Sequence, residues 1–219
     1  MKKVFLLSII ILLSATSCWD KEPDQISFSL KNLTTLLSRS GGYIEKASPG
    51  DISANEDEYL AFKIYNEISG IDVAMIFYAL ENDKSQSIEI FTETVNSFTI
   101  SEKLITLADN ELGASTSYYL EYYDANSELQ EKNFASASSM WTFISANSVS
   151  VGDVETMAAL YLYGDYYVMA GGYHYTGNTT EYYFPLLEIG LKSDITMKQK
   201  SVTMGKTGFC HFKNINLVK

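Results

Sequence analysis

The chain reads as a mainly β protein: an antiparallel β-sandwich of immunoglobulin-like or fibronectin-like type, with a second, smaller β unit. Three observations predict this. The dominant hydrophobic rhythm has a period of two, the strand-like segments are short with turn-forming residues every ~8–12 positions, and strand–helix–strand alternation is missing. Of the 219 residues, 46% are hydrophobic and 13% aromatic, enough to fill a core, and the length suits one or two domains. No repeat of fixed period is visible, which argues against a solenoid or propeller.

The elements follow in order. The opening segment "ISFSLKNLTTLLSRSGG" (26–42) has two readings: Leu30, Leu33, Leu36 and Leu37 fit a helix, while "ISFSL" fits a first strand. In "YLAFKIY" (59–65), Leu60, Phe62 and Ile64 alternate with Tyr59, Ala61, Lys63 and Tyr65, as in a strand with one buried face. "IDVAMIFYAL" (71–80) is apolar on both faces and suits a central strand, a short buried helix being the alternative. "SIEIFTETV" (87–95) alternates again, with Glu89 and Glu93 opposite Ile88 and Ile90, and the turn-like "EISG" and "ENDKSQ" separate these strands. "SEKLITLADNELG" (101–113) has helical spacing, with Ser101 as its expected cap and Gly113 as its stop.

Beyond it, "YYLEYY" (118–123), the turn "DANS" and the returning "ELQEKNF" make a hairpin, and "MWTFI" (140–144) reads as a short strand. From "SANSVSVGD" (145–153) onward the composition shifts toward Tyr, Gly and Met. The sandwich is therefore assigned to 27–146 and the C-terminal β-rich unit to 147–219, one large sandwich being the alternative. In the second unit Gly164-Asp165 is a two-residue hairpin turn, "EYYFPLLEIGL" (181–191) a strand, and "ITMKQKSVTMGKTGFCHFKNINLV" (195–218) two or three more.

The N-terminus supplies an address. Lys2 and Lys3 form a charged start, Val4 to Leu13 a nearly unbroken apolar run, and Ala15, Thr16 and Ser17 a small-residue box directly before Cys18. The run is short of the ~20 residues that a membrane span needs and matches an export signal. Over about the first 25 residues this arrangement resembles bacterial lipoproteins, whose cysteine is acylated and becomes the first residue. The resemblance implies a signal peptide over 1–17, lipidation of Cys18 and a tether over 18–26. The stretch Trp19, Asp20, Lys21, Glu22, Pro23, Asp24 resembles the acidic signal of Bacteroidota-type surface lipoproteins. It implies an outer-membrane location with the protein facing outward, the periplasmic side being the alternative. The other cysteine is Cys210, so the competing reading is a Cys18–Cys210 disulfide. The place of Cys18 at the end of an apolar signal argues against it, and Cys210 then serves as a small apolar residue.

Charge narrows the partners. Sixteen basic residues face 27 acidic ones, a formal net charge of −11, which becomes more negative once Lys2 and Lys3 leave with the signal. Arg39 is the only arginine, so no arginine cluster exists to clamp phosphates, and nucleic acid is not an expected partner.

Motifs that carry chemistry fail on inspection. "GKT" (205–207) lacks the earlier glycine of a phosphate loop, since position 200 is Lys200. "DANSELQEKNFA" from Asp124 begins like a calcium loop, yet its sixth and twelfth positions are Leu129 and Ala135, not Gly and Glu. The acidic groups at 55–58 and 109–111 read as solvated loops. His174 and His211 have no metal-ligand spacing, and Cys210 and His211, as strand neighbours, point to opposite faces. No cofactor, metal or catalytic residue is assigned. A hydrolytic carboxylate pair stays open, because 27 acidic residues offer many pairs and the sequence gives no distances.

What stands out is the 16 tyrosines. Adjacent tyrosines on a strand face opposite sides, so each doublet sends one ring inward and one outward. Rows of outward rings stack on sugars or anchor partners, while the plainer reading is that tyrosine is a favoured strand residue. The candidate ligand platform is Tyr161, Tyr163, Tyr167, Tyr173, Tyr175, Tyr182 and Trp141. The functional expectation is a non-enzymatic, membrane-anchored binding lipoprotein for a glycan or an envelope component. An accessory subunit for assembly or adhesion is the alternative, and a hydrolase is the third reading.

Overall fold

The computed structural model describes residues 23–56, 58–68, 71–92, 97–176 and 181–193. Cys18, Cys210, His211, the "GKTG" turn and the strands expected over 195–218 lie outside the described residues. So do the "EISG" turn at positions 69–70 and most of "TGNTT".

Two short helices come first, α1 (Leu30–Thr34) and α2 (Gly41–Ala47), followed by the strands β1 (Asp51–Glu56), β2 (Tyr59–Ile68), β3 (Ile71–Glu81) and β4 (Lys84–Phe91). Helix α3 (Thr99–Leu112) leads to the hairpin β5 (Ser117–Tyr123) and β6 (Leu129–Phe134). Helix α4 (Ala137–Ala146) leads to β7 (Val154–Tyr163), β8 (Tyr166–Thr176) and β9 (Glu181–Leu191). The opening segment thus takes the helical reading. The Ser29 hydroxyl accepts the Asn32 N–H at 3.0 Å, and the Glu111 carboxylate reaches from α3 to accept the Leu30 N–H at 2.7 Å.

The nine strands form one antiparallel sheet in the order β1-β2-β3-β4-β9-β8-β7-β5-β6. The antiparallel β-rich architecture is as expected, but among the described residues the strands join one sheet where the sequence predicted two facing ones. Helix packing explains the difference: α3 lies across β7, β8 and β9 and supplies the apolar layer that a second sheet would have supplied. The sheet is also continuous across position 147. Strands β7, β8 and β9 insert between β4 and β5, so segments on both sides of the expected boundary share one sheet and one core.

"MWTFI" is the clearest correction, being the middle of α4 and not a strand. Ser136 and Ser139 form a reciprocal capping box, and Met140 and Ile144, four residues apart, put their side chains into the core. Ser101 is likewise not a cap: it lies inside the first turn of α3, buried, where its hydroxyl donates to the Gly171 carbonyl at 2.9 Å and shares a 2.9 Å bond with the Tyr183 phenol. Two tight turns follow the sequence reading. Asn82 and Asp83, at φ 51° and 58°, close the β3–β4 hairpin, and Gly164, at φ 55°, closes β7–β8.

Strand alternation gives the sheet two faces. The helix face carries Leu60, Phe62 and Ile64 of β2, Ile76 and Tyr78 of β3, Ile88 and Ile90 of β4, Leu187 and Ile189 of β9, and Ala159 and Tyr161 of β7. They pack with Leu30, Leu33, Leu104, Ile105 and Met140 in one core. The second face carries the intervening residues, including a separate buried cluster of Ala158, Leu160, Tyr167 and Met169. Among the described residues no helix packs on that face.

Candidate functional site

The register of the second face brings together side chains far apart in sequence. One row across the strands runs Ala61, Phe77, Glu89, Glu188, Met169, Leu160, and the next runs Lys63, Met75, Phe91, Leu186. Glu89 and Glu188 are direct partners across the β4–β9 ladder and are only 6% and 2% exposed. Residues opposite one another on neighbouring strands stand with Cβ atoms about 4.5–5.5 Å apart, so the two carboxyl groups share one small region. A buried carboxylate needs hydrogen bonds, and Glu188 receives one from the Tyr167 phenol. Gly190 makes that bond possible. It is the register partner of Tyr167, whose ring lies over it so closely that a Cβ there would meet the ring at 2.6 Å. The missing side chain lets the ring cross β9 toward Glu188.

Toward the β2 end of this face the surface opens into a groove of about 520 Å³, within the size range of small-molecule sites. Tyr65, Val73, Phe77 and Phe91 form its walls, Lys63 and Thr92 stand among them, and Glu89 is its acid. Phe77 anchors the aromatic part, stacked on Tyr59 at 4.7 Å and edge-on to Phe91 at 6.2 Å between centroids. Tyr65 is 55% exposed, the most exposed of the large apolar side chains described. Aromatic rings, a nearly dry carboxyl and an ammonium in one concavity suit an amphipathic ligand with an apolar side and polar edges. Further along, Tyr173 and Phe184 stack at 5.9 Å on the same face, beyond the groove lining.

The structure divides the tyrosine platform between the two faces. Tyr161 is buried on the helix face, where its phenol donates to the Asp109 carboxylate at 2.9 Å and lies 3.1 Å from the Ile105 carbonyl. Burial pushes that phenol up, and the Asp109 charge adds to the rise. Tyr118 donates to the same Asp109 oxygen at 2.8 Å, so this acid is engaged by two phenols and is not a solvated loop group. Tyr163 is exposed on the helix side, with the Lys31 ammonium 5.6 Å from its ring centroid. Trp141 sits on α4, half-buried against Phe98. Among the platform residues whose side chains are described, Tyr167 and Tyr173 reach the second face. Tyr175 and Tyr182 are register partners near the end of the β8–β9 ladder, and their side chains lie outside the described residues.

Asp124, the start of the failed calcium loop, spends its carboxylate on its own turn, accepting N–H bonds from Asn126 at 2.8 Å and Glu128 at 3.0 Å. Among the described residues no group of three or more His, Cys, Asp or Glu is placed to hold a metal ion. Also among them, no helix is long and apolar enough to cross a membrane.

The groove residues that the tyrosine count passed over are Lys63, Phe77, Glu89 and Phe91, with Glu188 behind them. A signal for them exists in the sequence. In "SIEIF" and "PLLEIGL" a glutamate interrupts an apolar strand, and in "YLAFKIY" the face opposite the core carries Tyr, Lys and Tyr. Against known proteins, the chain matches no family model, no curated protein and no solved structure.

Proposed function

We propose that the protein is a membrane-anchored, non-enzymatic binding lipoprotein that takes a saccharide of the cell envelope or its surroundings in the groove of the second face. The observation that carries this reading is the groove itself, which Tyr65, Phe77 and Phe91 line together with Glu89. Sugar rings present an apolar C–H face that packs on aromatic rings and a hydroxyl rim that donates to carboxylates, and this lining supplies both partners. Acylation of Cys18 would hold the groove close to the outer membrane, facing outward. The lipoprotein-like first 25 residues support this part of the proposal.

The assembly reading would use the sheet edges, β1 and β6. Strand β6 is short and carries Glu131 and Lys132, a pattern that discourages pairing with another chain, so the groove reading is preferred.

The test is a glycan array probed with the full-length protein and with Phe77→Ala and Tyr65→Ala. Binding by the wild type and a loss of roughly tenfold or more in either variant are expected, because a central aromatic anchor carries a large share of such affinity. Binding that survives both changes would move the site elsewhere. In parallel, Cys18→Ala should lose acyl label and leave the membrane fraction with its β spectrum intact. Retention there, with no label on the wild type, would remove the anchor from the proposal.

A further inference from the structure

The two charges in the groove are not equivalent, and their placement selects among ligands. Glu89 is 6% exposed at the floor, whereas Lys63 is exposed and is the one basic residue in the lining. Glu89 and Glu188 face one another in a nearly dry region, where two like charges repel, so an ammonium placed beside them relieves that repulsion, while the exposed Lys63 ammonium is screened by water and salt. The floor carboxylate therefore outweighs the rim lysine.

Two further observations act in the same direction. The walls are aromatic, and a ring face attracts a cation through its quadrupole, most strongly where water is excluded. Rings elsewhere in this protein already hold cations in this way, as with Lys132 at 4.5 Å from the Phe143 centroid and Arg39 at 5.1 Å from that of Tyr43. The whole chain carries a net charge of −11, a field that draws cations toward the surface and turns anions away.

We infer that the groove selects a saccharide bearing a free amine, seated with its ammonium toward Glu89 and among Tyr65, Phe77 and Phe91. This inference rests on the saccharide reading above and specifies its ligand. In this arrangement Lys63 opposes the ligand's charge from the rim, so the two groove charges have opposite effects on affinity.

The experiment measures binding of the full-length protein to glucosamine oligosaccharides, to their N-acetylated counterparts and to galacturonic acid oligosaccharides, by calorimetry at low and at physiological salt. The amine form should bind about tenfold more tightly than the N-acetylated form, and the acid form most weakly. Glu89→Gln should abolish the preference for the amine while leaving the N-acetylated affinity in place. Lys63→Gln should raise amine affinity a few-fold. Circular dichroism of each variant separates loss of fold from loss of selectivity, and the gain expected for Lys63→Gln cannot arise from misfolding. Equal binding of amine and N-acetylated forms, or preference for the acid with loss in Lys63→Gln, would overturn the inference and leave the saccharide reading standing. Binding of none of the three, together with an empty glycan array, would overturn both.

Discussion

The two faces of the sheet are made from the same strands, yet they solve different problems. On the helix face apolar side chains from the sheet meet α3 and α4, and the buried polar atoms there, such as the Tyr183 phenol and the Ser101 hydroxyl, bond to one another and to the backbone. On the second face the strands bury two glutamates, with Phe77 and Phe91 beside Glu89 and the Tyr173–Phe184 stack further along. Burying a carboxylate is costly where apolar packing alone would serve stability. On the binding reading proposed above, the two glutamates beside an open groove serve recognition, whereas the helix face serves stability.

The largest expected effects test that division directly. Leu104→Ala on α3 removes a fully buried side chain from the helix face and should cost about 2–5 kcal/mol in urea unfolding. Phe77→Ala removes a half-buried ring from the second face, where part of the space left behind is open to the groove, and should cost clearly less. Equal losses would mean that the second face is a core of the same kind, and the contrast would fail.

A matched pair of glycines sharpens the comparison. Each face has a tyrosine leaning over a glycine to place its phenol: Tyr183 over Gly172 toward Ser101, and Tyr167 over Gly190 toward Glu188. A Cβ at Gly172 would stand 2.5 Å from the Tyr183 oxygen and 2.7 Å from the Phe184 carbonyl oxygen, while at Gly190 it meets only the Tyr167 ring at 2.6 Å. Backbone yields less readily than a ring. Gly172→Ala should therefore destabilise by about 1–3 kcal/mol, and Gly190→Ala by less, as judged by thermal unfolding. The reverse order would show that the Tyr167–Glu188 contact is the more tightly held of the two.

A third test uses alkaline pH, where both faces hold raised phenols. Burial lifts Tyr78 and Tyr183 on the helix face, and on the second face burial lifts Tyr119, with the Glu121 and Glu131 carboxylates adding to it. In each case the folded state favours the protonated form. The stability these phenols lend is complete below the unfolded value of about 10 and is lost as pH rises toward the folded values. Tyr183→Phe and Tyr119→Phe should each flatten the decline of stability above that pH. Glu131→Gln should ease the ionisation of Tyr119 while leaving that of Tyr183 unchanged, and a shift of both in ultraviolet titration would contradict the separation of the faces.

How much of this was legible depended on whether the information was local. Alternation in "YLAFKIY" predicts a strand and which residues share a face, and Gly113 and Gly164 mark where α3 stops and where β7 turns, because each signal lies within a few residues. The helix at 137–146 is not legible from "MWTFI", whose five residues suit either period, because the deciding signal, the Ser136–Ser139 box, lies just before them. The single sheet was not legible at all. It depends on β9 pairing with β4 and β7 with β5, and no local pattern encodes those partners. The groove fails to show for the same reason: Lys63, Phe77 and Glu89 are each ordinary strand residues until the register aligns them. The doublet Tyr166-Tyr167, by contrast, is divided by the pleat as the alternation predicts, Tyr166 against the helix-face core and Tyr167 on the second face.

The smallest expected effect lies outside both faces and sets the baseline for the others. Asp124 sits at the β5–β6 turn, where the Glu128 and Asn126 N–H groups, with help from Gln130, hold its carboxyl below the usual carboxylate range. The charged form is the one the fold favours, so its contribution is present above the unfolded value of about 3.9 and is lost as pH falls through the folded value. Asp124→Asn should leave neutral-pH stability nearly unchanged and remove part of the acid-limb decline, read as a flatter unfolding midpoint below about pH 4. Because the turn touches neither the helix core nor the groove, the same variant should bind ligand as the wild type does. A change in binding would mean that the β5–β6 hairpin takes part in recognition, and the site would then extend along the second face past Tyr119 to the far edge of the sheet.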